Sequence, residues 1–161
     1  MLKTNLLILL KKEKDNIDKK LLKEITRKGN VAYFYFKTNE LEKIINENNK
    51  KIVSIDMSSQ EYVIIKNNDK TVEINYPVTI ELIKEFVKKI INDYNCKTII
   101  FDSISYLLKH QDIVNVITLT NNLILESDAE KIFVVLKEYG LLKEKNESML
   151  KNMSMFADKI I

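Results

Sequence analysis

Short apolar runs alternate along this chain with longer segments in which apolar residues recur every three or four positions. Leu6–Leu10 is a continuous apolar run of strand length. Ile17, Leu21, Leu22 and Ile25 then share one face of a helix, opened by Asp15 or Asn16 and stopped near Gly29. Val31–Phe36, rich in aromatics, predicts a second strand. Leu41, Ile44 and Ile45 mark the next helix, with Thr38 or Asn39 as its cap and Glu42 near its positive end. Ile52–Asp56 predicts a third strand. Tyr62–Lys66 and Thr71–Asn75 flank the turn-prone Asn67-Asn68-Asp69-Lys70, which predicts a hairpin over 62–75, closed by Pro77.

Ile80, Ile83, Val87, Ile90 and Ile91 keep helical spacing through Asp93, and Thr98–Asp102 predicts a fourth strand. Ile113, Val116, Ile117, Leu123 and Ile124 belong to the following helix, and Ile132–Leu136 to a fifth strand. Met149, Leu150 and Met153 suggest a short helix, and Ala157–Ile161 a sixth strand. Runs buried on both faces that alternate with helices demand a sheet covered on both sides. The pattern therefore predicts one three-layer α/β/α domain over 1–161, with a mainly parallel sheet of five to six strands plus the inserted hairpin. A chain of 161 residues is long enough for one such core.

Composition narrows the chemistry. With only Gly29 and Gly140, the chain has no G-x-x-x-x-G-K-[ST] phosphate loop and no G-x-G-x-x-G dinucleotide turn. One Cys and one His exclude a Cys/His zinc site, a disulfide and a multi-histidine metal centre. The net charge of +3 rests on lysines and a single arginine, Arg27, which argues against sequence-specific reading of nucleic acid. Lysines and acids interleave, as in Lys11-Lys12-Glu13-Lys14-Asp15, and read as a solvated face. Lys19, Lys20 and Lys23 form a short basic run that an acidic partner would meet only weakly. The Leu6–Leu10 run is too short for a signal peptide, and no apolar stretch has bilayer length. A cytoplasmic protein without a membrane partner, with Cys96 reduced and buried, is the expectation.

Ligands of open α/β sheets bind beyond the carboxyl ends of the strands. Residues there are Lys11, Lys12 and Glu13; Lys37 and Thr38; Asp56, Ser58 and Ser59; Asp102, Ser103 and Ser105; and Lys137 and Glu138. Asp56 and Asp102 are the two carboxylates to weigh, either as Mg²⁺ or phosphoryl sites or as turn-forming acceptors of backbone N–H groups. A phosphoacceptor role for Asp56 needs a pair of acids after the first strand, where Lys11-Lys12-Glu13 stand instead. A Ser–His–Asp assembly of Ser103 or Ser105 with His110 and Asp112 lacks the glycine that a strained elbow requires, so His110 reads as a solvent-facing loop residue. Met149, Met153 and Met155 with Phe156 read as core filler, as do the alternating aromatics Tyr33–Phe36.

In this order the residues resemble a known family. TIIFDSISYLL (Thr98–Leu108) is similar to the Walker B strand of RecA-superfamily ATPases of the KaiC and RadA kind, with Ser103-Ile104-Ser105 as its more telling part. Lys28–Ser59 resembles the strand–helix–strand unit that precedes Walker B. SMFADKII (Ser154–Ile161) is similar to the late strand of archaeal KaiC-like proteins. The resemblance runs from about Asn5 to the end of the chain and implies a RecA-like fold and a cytoplasmic archaeal source.

The departures are chemical. Where the family's Walker A loop should follow the first strand, Lys11–Asp18 has no glycine and no Lys-Ser/Thr pair. The acids expected after the second strand are replaced by Lys37 and Thr38. Asp102 and Ser103 are the vestige of Walker B, and such an Asp acts on Mg²⁺ already held by nucleotide. The resemblance thus implies a domain that has lost ATP binding, with no catalytic residues, cofactor or metal. It would serve as an interaction or regulatory module that pairs with another protein, itself or an active relative. Two alternatives stand beside it: a nucleotide-responsive protein with a non-standard pocket above Lys11, Lys12, Asp102 and Ser103, and a weak nonspecific nucleic-acid binder.

Overall fold

Strands β1 (Leu6–Lys11), β2 (Asn30–Tyr35), β3 (Ile52–Asp56), β6 (Cys96–Asp102), β7 (Glu130–Leu136) and β8 (Lys159–Ile160) run parallel in one sheet. The hairpin β4 (Tyr62–Asn67) and β5 (Lys70–Asn75) adds two antiparallel strands to the β3 edge. The order across the sheet is β5-β4-β3-β2-β6-β7-β1-β8. This computed structural model describes residues 4–36, 51–59, 61–67, 70–75 and 79–161. The helix expected around Leu41–Ile45, its caps Thr38 and Asn39, Glu42, Lys37, the Asn68-Asp69 tip and Pro77 lie outside the described residues. Six parallel strands plus a hairpin is the sheet that the hydrophobic pattern predicts.

Side-chain alternation explains the three layers. Leu6, Ile8, Phe34, Ile55, Ile99, Phe101, Phe133 and Val135 point to one face. There they meet α2 (Ile80–Asp93), α3 (Ile113–Glu126) and α4 (Lys143–Ser154), through residues such as Phe86, Val87, Leu119, Leu123, Met149 and Met153. Val31, Tyr33, Tyr35, Ile52, Ile100, Ile132 and Val134 point to the other face, under Leu22 and Ile25 of α1 (Lys19–Lys28). Such two-sided burial stabilises parallel strands, because helical crossovers are what connects them. The Phe34 and Phe101 rings stack 4.7 Å apart at 8°, and Phe133 meets Phe101 edge-on at 5.7 Å. The aromatic run of β2 is core, as its alternation predicts.

Three expectations change. Asp18, not Asp15 or Asn16, caps α1: its carboxylate accepts from Lys20 N at 2.9 Å. Asp15 is engaged inside the preceding loop, where it accepts from Lys12 N at 3.3 Å. Met155 is 71 % exposed, because α4 ends at Ser154 and the next residue leaves the face that buries Met149 and Met153. Lys11 is not part of a solvated face; it is the last residue of β1 and is buried. No helix among the described residues is long and apolar enough to cross a membrane.

Candidate functional site

The carboxyl ends of β1, β2, β6 and β7 form the place where a ligand of this fold would sit. Asp102 closes β6 there and is 3 % exposed. Its Oδ2 accepts a hydrogen bond, whereas its buried Oδ1 faces a cation without accepting one. Lys11 Nζ lies 2.6 Å from Oδ1, and Tyr33 donates its hydroxyl to Oδ2 at 2.5 Å. Lys11 Nζ also donates to the Asp15 carbonyl at 3.0 Å. A buried carboxylate requires a counter-charge and hydrogen bonds; here Lys11 supplies the charge and Tyr33 one hydrogen bond, while Oδ1 accepts none.

Burial, then the Asp102 charge, then the hydrogen bond that it donates all push the Tyr33 phenol well above its ordinary range. Tyr33 therefore stays a neutral donor. A divalent cation on Asp102 would have to displace the Lys11 ammonium, and repulsion between the two opposes it.

The glycine-free Lys11–Asp18 segment that follows β1 folds on itself. Asp15 N donates to the Lys12 carbonyl at 3.1 Å, and Ile17 is buried. The positive end of α1, the natural seat for a phosphate, already holds the Asp18 carboxylate. An incoming triphosphate would meet this negative group at close range.

Beyond Asp102, the serines are structural. Pairing between β6 and β7 ends at Phe101 and Phe133, yet β7 continues to Leu136. The β7 groups that would be left without a strand partner are taken up by side chains. Ser103 Oγ donates to the Val134 carbonyl at 2.6 Å, Leu136 N donates to Ser105 Oγ at 3.1 Å, and Asn146 Nδ2 donates to the Leu136 carbonyl at 2.7 Å. Ser105 Oγ in turn donates to Asn146 Oδ1 at 2.6 Å. Every link is buried, which completes the backbone accounting at the end of β7. The Asp102–Ser103 peptide is cis.

At the rim, Tyr106 and Tyr139 meet edge-to-face at 5.9 Å, with Lys109 Nζ 5.4 Å from the Tyr106 ring. Burial, with Glu13 and Asp102 adding negative charge, pushes Tyr106 up to about 12. Tyr139 is raised too, by burial first and then by Tyr106 and Glu13.

The other strand-end residues do not join this cluster. Asp56 Oδ1 accepts from Ser58 N at 2.9 Å, the turn-forming role, and Ser59 Oγ accepts from Glu61 N at 3.2 Å. Lys137 and Glu138 are exposed, as is His110, while Ser105 is engaged with Asn146, so no Ser–His pair forms. Lys37 and Thr38 lie outside the described residues. No group of three or more His, Cys, Asp or Glu among the described residues could hold a metal ion. Sequence reasoning missed Tyr33 and Asn146. A tyrosine inside a strand buried on both faces signals that its hydroxyl needs an acceptor; Asn146, amid charged helix residues, carries no such signal.

No protein-family model matches this sequence, and no curated protein matches it. Among solved structures the chain is similar to a KaiC-like protein, PH0186, from the hyperthermophilic archaeon Pyrococcus horikoshii OT3. The TM-score is 0.56 at 11 % identity, over 91 % of this chain and 70 % of that one. The fold is RecA-like: a mixed α/β sheet, mostly parallel, with the antiparallel β3-β4-β5 edge.

Proposed function

We propose that this chain is a non-catalytic KaiC/RecA-like domain that has given up ATP binding and works as a protein-interaction or regulatory module. The observation that carries this reading is the Lys11–Asp102 ion pair of 2.6 Å, which sets a fixed side-chain cation where Mg²⁺ would have to bind. The Asp18 carboxylate at the positive end of α1 and the glycine-free Lys11–Asp18 segment support it. Phosphate cradles depend on bare backbone N–H groups turned toward the ligand together with a counter-cation. Here the N–H groups are drawn inward and the cation is spoken for. Asp102 becomes part of the scaffold, where it holds the ends of β1 and β6 together through Lys11.

Isothermal calorimetry with ATP, ADP and GTP, each with Mg²⁺, tests the proposal. No heat of binding in the micromolar range is expected. Micromolar affinity that is lost in Asp102→Asn would overturn it in favour of a nucleotide-responsive protein with a non-standard pocket.

A further inference from the structure

The net positive charge of this protein belongs to one helix. α1 holds five cations and one acid, and the rest of the chain holds twenty-one cations against twenty-two acids. Leu22 and Ile25 are buried against the sheet. On the opposite side of the helix Lys20, Lys23 and Arg27 form the outermost ridge, and all three are exposed. Spaced three and four residues apart, they are neighbours on the helix surface. None of them makes an ion pair with a described residue, whereas Lys28, on the flank, reaches Glu130 at 3.4 Å.

This arrangement works against the helix that carries it. Like charges at such spacings repel. The first turn also holds Lys19 and Lys20 and no acid, at the end where the helix dipole is already positive. A ridge that lowers the stability of its own helix is compensated once an acidic partner lies on it. We propose that Lys20, Lys23 and Arg27 dock an acidic helix of another protein, whose carboxylates form a stripe of the same three-and-four spacing. This rests on the interaction-module reading and deepens it by naming the surface and the chemistry of the partner.

Three observations select that partner. Glu24 lies beside the ridge, one turn from Lys20 and one turn from Lys28. A phosphate backbone or an anionic lipid surface, negative throughout, would meet it with repulsion, whereas a protein can set a basic residue against it. The apolar residues of α1 pack toward the sheet, so the helix has nothing to insert into a bilayer. No helix among the described residues carries three exposed acids in one such stripe, so a second copy does not supply the complement.

NMR titration of the isotope-labelled full chain with alanine-rich helical peptides tests the proposal. One peptide carries Glu at positions i, i+3 and i+7; a second has the same composition with its glutamates spread round the helix. The first is expected to bind at low salt with a dissociation constant of about 0.1–1 mM, the weak range of exposed ion pairs. Its shifts should be confined to α1, and the second peptide should bind at least about fivefold more weakly. Lys23→Glu should weaken the first peptide by about tenfold and should instead accept a third, in which the middle Glu is replaced by Lys. The variant should also unfold at a higher temperature, because its new acid stands three residues from Lys20 and four from Arg27. Three results each overturn the proposal: no binding of the first peptide, equal binding of the first two, or a lower unfolding midpoint for Lys23→Glu. So do shifts of α1 with a DNA duplex or phosphatidylserine vesicles at lower concentration than with the first peptide, since they mark a surface for polyanions in general. Nucleotide calorimetry reads the Lys11–Asp102 site instead, so either proposal can fail without the other.

Discussion

Lys11 and Asp102 form an ion pair between two strands that do not touch. β7 runs between β1 and β6, and Lys11 Nζ passes over its end to reach Asp102 Oδ1 at 2.6 Å. Both groups are buried, so each is the condition for burying the other. Lys11→Met leaves a carboxylate without its cation and should cost about 3–5 kcal/mol. Asp102→Leu leaves a buried ammonium and should cost about as much. The double variant removes both charges and should be more stable than either single one. Urea unfolding of all four proteins measures the coupling; strictly additive losses would show that the two charges are solvated independently.

Tyr33→Phe deletes the hydroxyl that Asp102 Oδ2 accepts while keeping the ring that packs against Ile100 and Leu22 in the α1-side core. A hydrogen bond to a charged acceptor contributes about 1.5–3 kcal/mol, so a loss in that range is expected. The alkaline limb gives a second measurement. Tyr33 and Tyr106 are both held above the ordinary tyrosine range when folded. Above pH ~10 the unfolded chain releases these protons while the folded one keeps them, so stability falls as pH rises. Their contribution is fully present below the unfolded value and is lost, for Tyr106, by about 12. Tyr33→Phe and Tyr106→Phe should each flatten the fall. An unchanged slope in both variants would contradict the burial assigned to these phenols.

The strands and the four α-helices among the described residues were legible because burial imposes a period on sequence: two-sided strands become apolar runs, and one-sided helices repeat every three or four residues. The absence of a glycine-rich phosphate-loop motif was equally legible, since it rests on residue types at Lys11–Asp18. The ion pair was not. Lys11 follows five apolar residues and precedes five polar ones, so its side chain has two environments to choose from. The choice is made by Asp102, ninety-one positions later and one strand removed, and no local pattern records that. That Asp18 caps α1, where Asp15 or Asn16 was expected, has a related reason. All three can cap a helix, and the loop's own hydrogen bonds decide which one does.

Gly29 joins α1 to β2 at φ +149, in a region that side chains rarely adopt. A Cβ there would stand 2.6 Å from Lys97 Cγ, part of the stem of a side chain on β6. Gly29→Ala thus combines backbone strain with a clash and should cost about 1–3 kcal/mol. Lys97→Ala removes the colliding atoms without touching the backbone. In that background the cost of Gly29→Ala should shrink but not vanish, and thermal unfolding of the four proteins separates the two parts. If the cost is identical in both backgrounds, the clash plays no role.

Asn146 closes the end of β7 from α4: it donates to the Leu136 carbonyl and accepts from Ser105 Oγ. Asn146→Ala leaves both buried groups without that partner, at about 1–3 kcal/mol for each unsatisfied group. Asn146→Asp is the sharper variant, because it preserves shape and volume. At neutral pH the new carboxylate still accepts from Ser105, but it cannot donate, and its charge points at the Leu136 carbonyl oxygen. Desolvation and that repulsion raise its folded pKa above the unfolded value. The sign then follows: relative to wild type, the variant is at its best below the unfolded carboxyl range, where a protonated carboxyl can donate to Leu136. It loses stability as pH rises through the folded pKa. Wild type minus Asn146→Asp, measured by urea unfolding across the acid range, should therefore widen with rising pH and then level off. A difference independent of pH would mean that the side chain at 146 reaches water and that the β7 carbonyl is satisfied in some other way.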